Sequence, residues 1–142
     1  MNDGAIAYRG VIPADRWHDP YMPLEEVRAE MAAGVEFFCV RRHRRVVGVM
    51  GLQNVAEVAL IRHAYTRTAE QGSGVGSLLL EHLKGRTDRQ LLVGTWKAAT
   101  WAVRFYERRG FRLVSEAEKV QLLRRYWTVS ERQIDESVVL TA

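Results

Sequence analysis

Three glycines fall within five residues in the segment Gln71-Gly72-Ser73-Gly74-Val75-Gly76. Glycine lets a backbone turn tightly and lets a ligand approach it closely. A leucine-rich stretch follows at once. A helix starting there offers unpaired N–H groups and the positive end of its dipole. Together these features suit an anion, and a pyrophosphate in particular. Two well-known phosphate loops do not fit. A P-loop requires Gly-Lys-Ser/Thr after four spacer residues, and this loop has no lysine. The dinucleotide pattern G-x-G-x-x-G, begun at Gly72 and Gly74, would place its third glycine where Ser77 stands.

Positioning such a loop takes a strand before it and a helix after it. Residues 57–65 read as that strand and residues 75–84 as that helix, carrying Leu78, Leu79, Leu80 and Leu83 and ending at Gly85. Upstream, residues 6–11 read as a first strand. Pro23 opens a helix to about residue 33, with acids in its first turn, a stripe of Leu24, Val27 and Met31, and Gly34 as its cap. Residues 35–41 and 46–53 are apolar strands, and Arg41-Arg42-His43-Arg44-Arg45 between them predicts a solvated hairpin turn. Downstream follow a short buried strand at 91–93, a helix at 98–109 ended by Gly110, a strand at 111–114, an amphipathic helix at 116–126 and a terminal strand at 137–140. Strands alternating with helices, without a linker or repeat, predict one mixed α/β domain spanning 1–142.

Composition sets the bounds. The chain has 142 residues, 47% hydrophobic and 27% charged, which is a globular balance and excludes a chain disordered throughout. No apolar run approaches the roughly 20 residues of a membrane span. The first residues lack a basic region followed by an apolar one, so no signal peptide is expected. We therefore expect a cytoplasmic protein that does not engage a membrane. The net charge of +4 comes from arginine, 18 Arg against 3 Lys in the total of 21. No recognition helix or exposed aromatic face accompanies it, so nucleic acid is not an expected partner. The single cysteine, Cys39, sits in an apolar strand and is expected in the core. His18 and His82 lack partners at ligand spacing, so no metal site is expected.

At two places the sequence resembles the GNAT superfamily of N-acetyltransferases. Gln71-x-x-Gly74-x-Gly76 resembles its Q/R-x-x-G-x-G/A signature, and Phe105-Tyr106-Glu107-Arg108-Arg109-Gly110-Phe111 resembles its F-Y-E-x-x-G-F segment. The resemblance covers about residues 5–140. It implies the GNAT fold, an α/β (α+β) domain. Its single mixed, mostly antiparallel sheet has about six to seven strands, flanked by helices and splayed at the fourth and fifth. It also implies acetyl-CoA as co-substrate. The acetyl–pantetheine arm would pair with backbone groups near Ala64, Tyr65 and Thr66, as an added strand does. The N–H groups of Gln71, Gly72, Ser73, Gly74, Val75, Gly76 and Ser77 would hold the pyrophosphate. Tyr106 would sit near the thioester sulfur and protonate the departing thiolate. On that helix Phe105 is expected to be packed and Tyr106 to line the cleft.

The sequence departs from the family at Ala99, where many members carry an asparagine. Thr95, Trp96 and Thr100 lie near it. Trp96 and Trp101 fit either the cleft or the core. A general base is needed because an ammonium must lose a proton before it can attack. Glu57 and His63 are the candidates, placed on one face with Ala59 and Ile61 if their strand is regular; a bulge would change that. The expected function is acetyl transfer to a primary amine by direct attack in a ternary complex. The other class is a non-catalytic acyl-CoA-binding or sensing module on the same fold. Acceptor contacts are expected from residues 18–31 and 126–134, where neither acids nor arginines predominate. Trp127, Ile134, Val138, Val139 and Leu140 near the chain end suggest a homodimer surface.

Overall fold

The computed structural model describes residues 1–142. Its sheet has six strands: β1 (Val35–Arg42), β2 (Arg45–Val55), β3 (Val58–Thr66), β4 (Gln90–Trp96), β5 (Arg112–Leu113) and β6 (Ser137–Thr141). Their spatial order is β1-β2-β3-β4-β6-β5. Only β3 and β4 run parallel; every other pair is antiparallel. The parallel pair needs a crossover, which α2 (Val75–Lys84) supplies. The β1–β2 hairpin turns at His43-Arg44, with φ of 51° and 64°. Two left-handed residues match the twist of the flanking strands.

The apolar pattern decides what covers each face. Val47, Met50, Leu52, Ala59 and Ile61 face α2, where Leu79, Leu80 and Leu83 complete the main core. Alternate positions Val58, Leu60 and Leu92 point the other way, with Tyr126 and Trp127 packed on them. That side is covered by α4 (Glu116–Tyr126) and the short α5 (Glu131–Asp135). Ser115 caps α4 by accepting the Glu118 N–H at 3.2 Å. Two further helices, α1 (Leu24–Ala32) and α3 (Thr100–Glu107), flank the cleft described below.

One irregularity opens the sheet. His63 has a φ of 54°, and the β2–β3 register shifts between Val49 and Gly51. This is a bulge in β3, and a bulge bends its strand. β3 and β4 stay paired only from Val58↔Gln90 to Ile61↔Val93. Beyond that point β3 follows β2 to Thr66, while β4 follows β6 to Trp96. The two strands splay apart, as expected.

Several expectations are corrected. Residues 6–11 form no strand. Gly4–Tyr8 is a 3-10 helix, in which the Ala5 and Ile6 N–H groups donate to the Met1 and Asp3 carbonyls. Ile6 is exposed there. Leu24 and Met31 are also exposed, so the stripe on α1 is not a core face. Cys39 is exposed on the edge strand β1 rather than buried. Of the residues suggested for a homodimer surface, Ile134 is buried on α5 and Val139 and Leu140 are buried in β6 between β4 and β5, while Trp127 and Val138 are half-buried. No helix is long and apolar enough to cross a membrane.

Candidate active site

The glycine loop sits where its chemistry requires. Gly74 is the residue before α2 and has a φ of 86°; Gly72 has a φ of 79°. Nothing lies within 4 Å of a Cβ built on either, so both present open backbone. Gln71 spends its N–H on the Thr68 carbonyl and Ser73 on that of Glu70, which removes these two from the expected set of donors. The N–H groups of Gly72, Gly74, Val75, Gly76 and Ser77 find no acceptor within the chain. That row of free donors at a helix N-terminus fits a pyrophosphate.

Gly76 has a different task. A Cβ there would lie 3.0 Å from the Phe105 ring, so this glycine lets α3 pack against α2. Arg109 covers that contact. Its guanidinium lies 3.9 Å from the Phe105 ring centre, and its Nε donates to the Ser77 hydroxyl at 2.8 Å. Arg42 ties the β1–β2 hairpin to the loop, donating to Glu70 at 3.2 Å and to the Ser73 hydroxyl at 3.0 Å. The arginine-rich turn is thus more than a solvated loop.

From this loop a cleft of about 1150 Å³ runs through the splay between β3 and β4. Ala64, Tyr65 and Thr66 line one wall; Thr95, Trp96 and Trp101 also reach it. Ala99 is fully buried at the start of α3. Tyr106 lines the cleft, and Phe105 lines it too while packing, half-buried, against the main core. Tyr106 is the more buried ring, held edge-on by Phe105 and Phe111 at 5.0 and 5.3 Å. Its hydroxyl makes no hydrogen bond within the chain and is not sealed from solvent. Burial pushes the phenol pKa well up, so it stays protonated.

The bulge separates the two base candidates. Glu57 lies in the turn before β3, outside the cleft lining. The Tyr126 hydroxyl and Arg125, the latter at 2.8 Å, hold its carboxyl below the usual range. A carboxylate so occupied in solvent is a weak base, and at ~3.3 Å per residue it stands roughly 20 Å along β3 from His63. His63 does line the cleft, but not on the face of Ala59 and Ile61. The extra residue of the bulge turns it toward α1, beside Arg62, and its Nε2 lies 3.0 Å from Glu30 Oε2. Burial lowers its pKa, against the upward pull of Glu30.

Sequence reasoning did not single out Glu30. The signal was available: Glu26 and Glu30, four apart on α1, share a helix face. Nor did it single out Tyr8, which lines the cleft with Tyr21 and Tyr65. The ring centres of these three lie 6.3 to 6.5 Å apart. No group of three or more His, Cys, Asp or Glu is placed to hold a metal ion.

A splayed mixed sheet with a glycine loop at the helix beside the opening defines a class of acyl-group transferases, and comparison with known proteins agrees. The Acetyltransferase (GNAT) domain profile matches residues 3–124. A GNAT-family acetyltransferase from Staphylococcus aureus Mu50 aligns with a TM-score of 0.67 at 17% identity, over 96% of this chain and 85% of that one. The PaiA N-acetyltransferase of Thermoplasma acidophilum, solved with coenzyme A, aligns with a TM-score of 0.65 at 12% identity, over 99% and 85%. The ribosomal-protein-S18-alanine N-acetyltransferase of Escherichia coli aligns with a TM-score of 0.60 at 19% identity, over 99% and 87%. No curated protein matches by sequence. At these identities the structural likeness speaks for the fold. The profile match, over most of the chain, shows the family: the chain belongs to the GNAT acetyltransferases.

Proposed function

We propose that this protein is an acetyl-CoA-dependent N-acetyltransferase, moving an acetyl group to a primary amine by direct attack in a ternary complex. The observation that carries the reading is the single cleft joining the loop of free N–H donors to the splay beneath Tyr106. Acetyl-CoA supplies an activated thioester. The chain's own groups account for the rest. The loop N–H groups from Gly72 to Ser77, without Ser73, bind the pyrophosphate. Backbone groups of Ala64, Tyr65 and Thr66, unpaired on the β4 side, receive the pantetheine amides and polarise the thioester carbonyl. Tyr106, kept protonated by burial, gives its proton to the departing sulfur. Holding both substrates in one cleft supplies much of the acceleration.

The acceptor side of the cleft favours an amine arriving as a cation. Glu26 lies close enough to act on Tyr21 and His63, and the Tyr21 ring stands against those of Tyr8 and Tyr65. Carboxylates and aromatic faces both attract ammonium groups. A cation must be deprotonated before attack, and His63, which lines the cleft, is the group to which we give that proton. Continuous measurement of CoA thiol release tests the reading, with acetyl-CoA and a panel of tyramine, putrescine, ethanolamine and an alanyl peptide. Turnover with at least one amine is expected. Acetyl-CoA binding by calorimetry without turnover would favour the acyl-CoA-binding module instead.

A further inference from the structure

A connected set of polar side chains lines the cleft wall beside His63. Gln53 Nε2 donates to the Ala33 carbonyl at 3.0 Å, fixing the amide. Its Oε1 accepts from Arg62 at 2.8 Å. The same guanidinium reaches Glu30 Oε2 at 3.1 Å, and His63 Nε2 reaches that oxygen at 3.0 Å. All five residues line the cleft. They come from α1, the residue that ends it, β2 and the bulge of β3, so only the folded chain assembles them.

We propose that Glu30 is a positioning residue for acetyl transfer, fixing the His63 imidazole so that its other ring nitrogen takes the proton of the acceptor ammonium. This rests on the transferase reading above. An ionised carboxylate only accepts hydrogen bonds, so the shared hydrogen sits on Nε2 and the lone pair of neutral His63 is on Nδ1. Arg62 occupies the same Glu30 oxygen, so Glu30 is not itself the base. Phe37 packs against the imidazole at 5.9 Å and limits its rotation. The groups facing His63 are Glu30 and Glu26 from α1, Arg62 from β3 and the uncharged Phe37 from β1. Two carboxylates therefore stabilise the imidazolium and one guanidinium opposes it.

The proton count closes. The ammonium gives one proton to Nδ1, and the imidazolium so formed keeps its Nε2–H on Glu30. The freed amine forms the N–C bond as the C–S bond breaks with its electron pair. The sulfur takes a proton through Tyr106, which recovers one from the attacking nitrogen. His63 then releases its proton to solvent.

Two measurements test the proposal. The first is ¹⁵N NMR of the imidazoles, with His63 assigned by its loss in His63→Gln. Neutral His63 is expected as the Nε2–H tautomer, and Glu30→Gln should lower its pKa, because only Glu26 then opposes Arg62. An Nδ1–H tautomer, or a pKa indifferent to Glu30→Gln, overturns the proposal without touching the transferase reading. The second is the pH dependence of kcat and kcat/KM, using the panel amine with the highest turnover. His63→Gln should lower kcat by roughly 100-fold or more, the lower range for a lost general base. Glu30→Gln should lower kcat by roughly 10- to 100-fold with little change in KM, the size of effect known for partners that orient metal-bound histidines. It should also move the acidic limb of kcat/KM to lower pH, and Glu30→Asp should recover part of kcat. The double variant should be no slower than His63→Gln, since the pair acts as a unit. Full activity of Glu30→Gln, or additive losses in the double variant, would overturn the role of Glu30. Absence of turnover with every amine would remove the transferase reading and this role together.

Discussion

Tyr106 carries the sharpest prediction at the scale of single residues. Its ring is held edge-on by Phe105 and Phe111, while its hydroxyl has no partner in the chain and opens to the cleft. A phenol kept protonated by burial can donate to a thiolate but cannot take the first proton from the incoming ammonium. Tyr106→Phe removes only that oxygen. Turnover should fall roughly 10- to 1000-fold, while acetyl-CoA affinity, measured by calorimetry, stays near the parent value. His63 adds a signature in stability. Its pKa in the folded chain is lowered, by burial first, so the unfolded chain takes up the proton earlier as pH falls. The stability His63 contributes as a neutral group is present above its ordinary pKa of about 6.5 and is lost below it, down to the folded pKa. Acidifying from pH ~7.5 to ~5.5 should therefore lower the Tm of the parent more than that of His63→Gln, a difference calorimetry can read. Tyr106 was legible from its place in a known segment. Glu30 was not, because four residues on a helix say which face it shares and nothing of what that face meets.

Among the elements, the start of α2 shows three glycines answering two demands. Gly72 and Gly74 supply left-handed backbone with free N–H groups, and Gly76 makes room for Phe105. Gly74→Ala meets no clash, so its cost is conformational, about 1–2 kcal/mol by chemical denaturation. Gly74→Glu adds a charge facing the pyrophosphate site and should weaken acetyl-CoA binding about 100-fold or more. Equal affinity in the two variants would take the loop out of the cofactor site. Gly76→Ala should be destabilising in proportion to its contact with Phe105, and Phe105→Ala should relieve it in a double-mutant cycle. The boundaries of α2 and α4 follow from apolar spacing, a glycine or serine start and a clear stop. Residues 6–11 misled because a short apolar run has no intrinsic preference for a strand. There the i→i+3 bonds onto the Asp3 and Ile6 carbonyls prevailed, and Gly4 itself packs against the Thr66 carbonyl.

For the molecule as a whole, charge and topology matter most. The net charge of +4 and the arginines at 41, 42, 44 and 45, one of them bonded to the glycine loop, favour an anionic cofactor at long range. Acetyl-CoA association should slow several-fold between low salt and ~0.5 M, where the screening length is only a few ångström. The insertion of β6 between β4 and β5 makes Leu140 a keystone of the main core. Leu140→Ala should cost about 2–5 kcal/mol by denaturation. The sequence by itself determined the mixed domain, the hairpin at the arginines, the anion loop at α2 and the family, because each is written in local spacing and in which residue types a short segment contains. The tertiary structure decided the rest. The bulge at His63 emerges only when β3 is paired with β2. Its turn toward α1 sets the imidazole on Glu30, and Glu57, six residues away in the chain, is left outside in solvent. The chain end reads as an exposed apolar surface until β6 is placed between its neighbours. Such features depend on contacts between segments far apart in the chain, and local pattern holds no record of which segments meet.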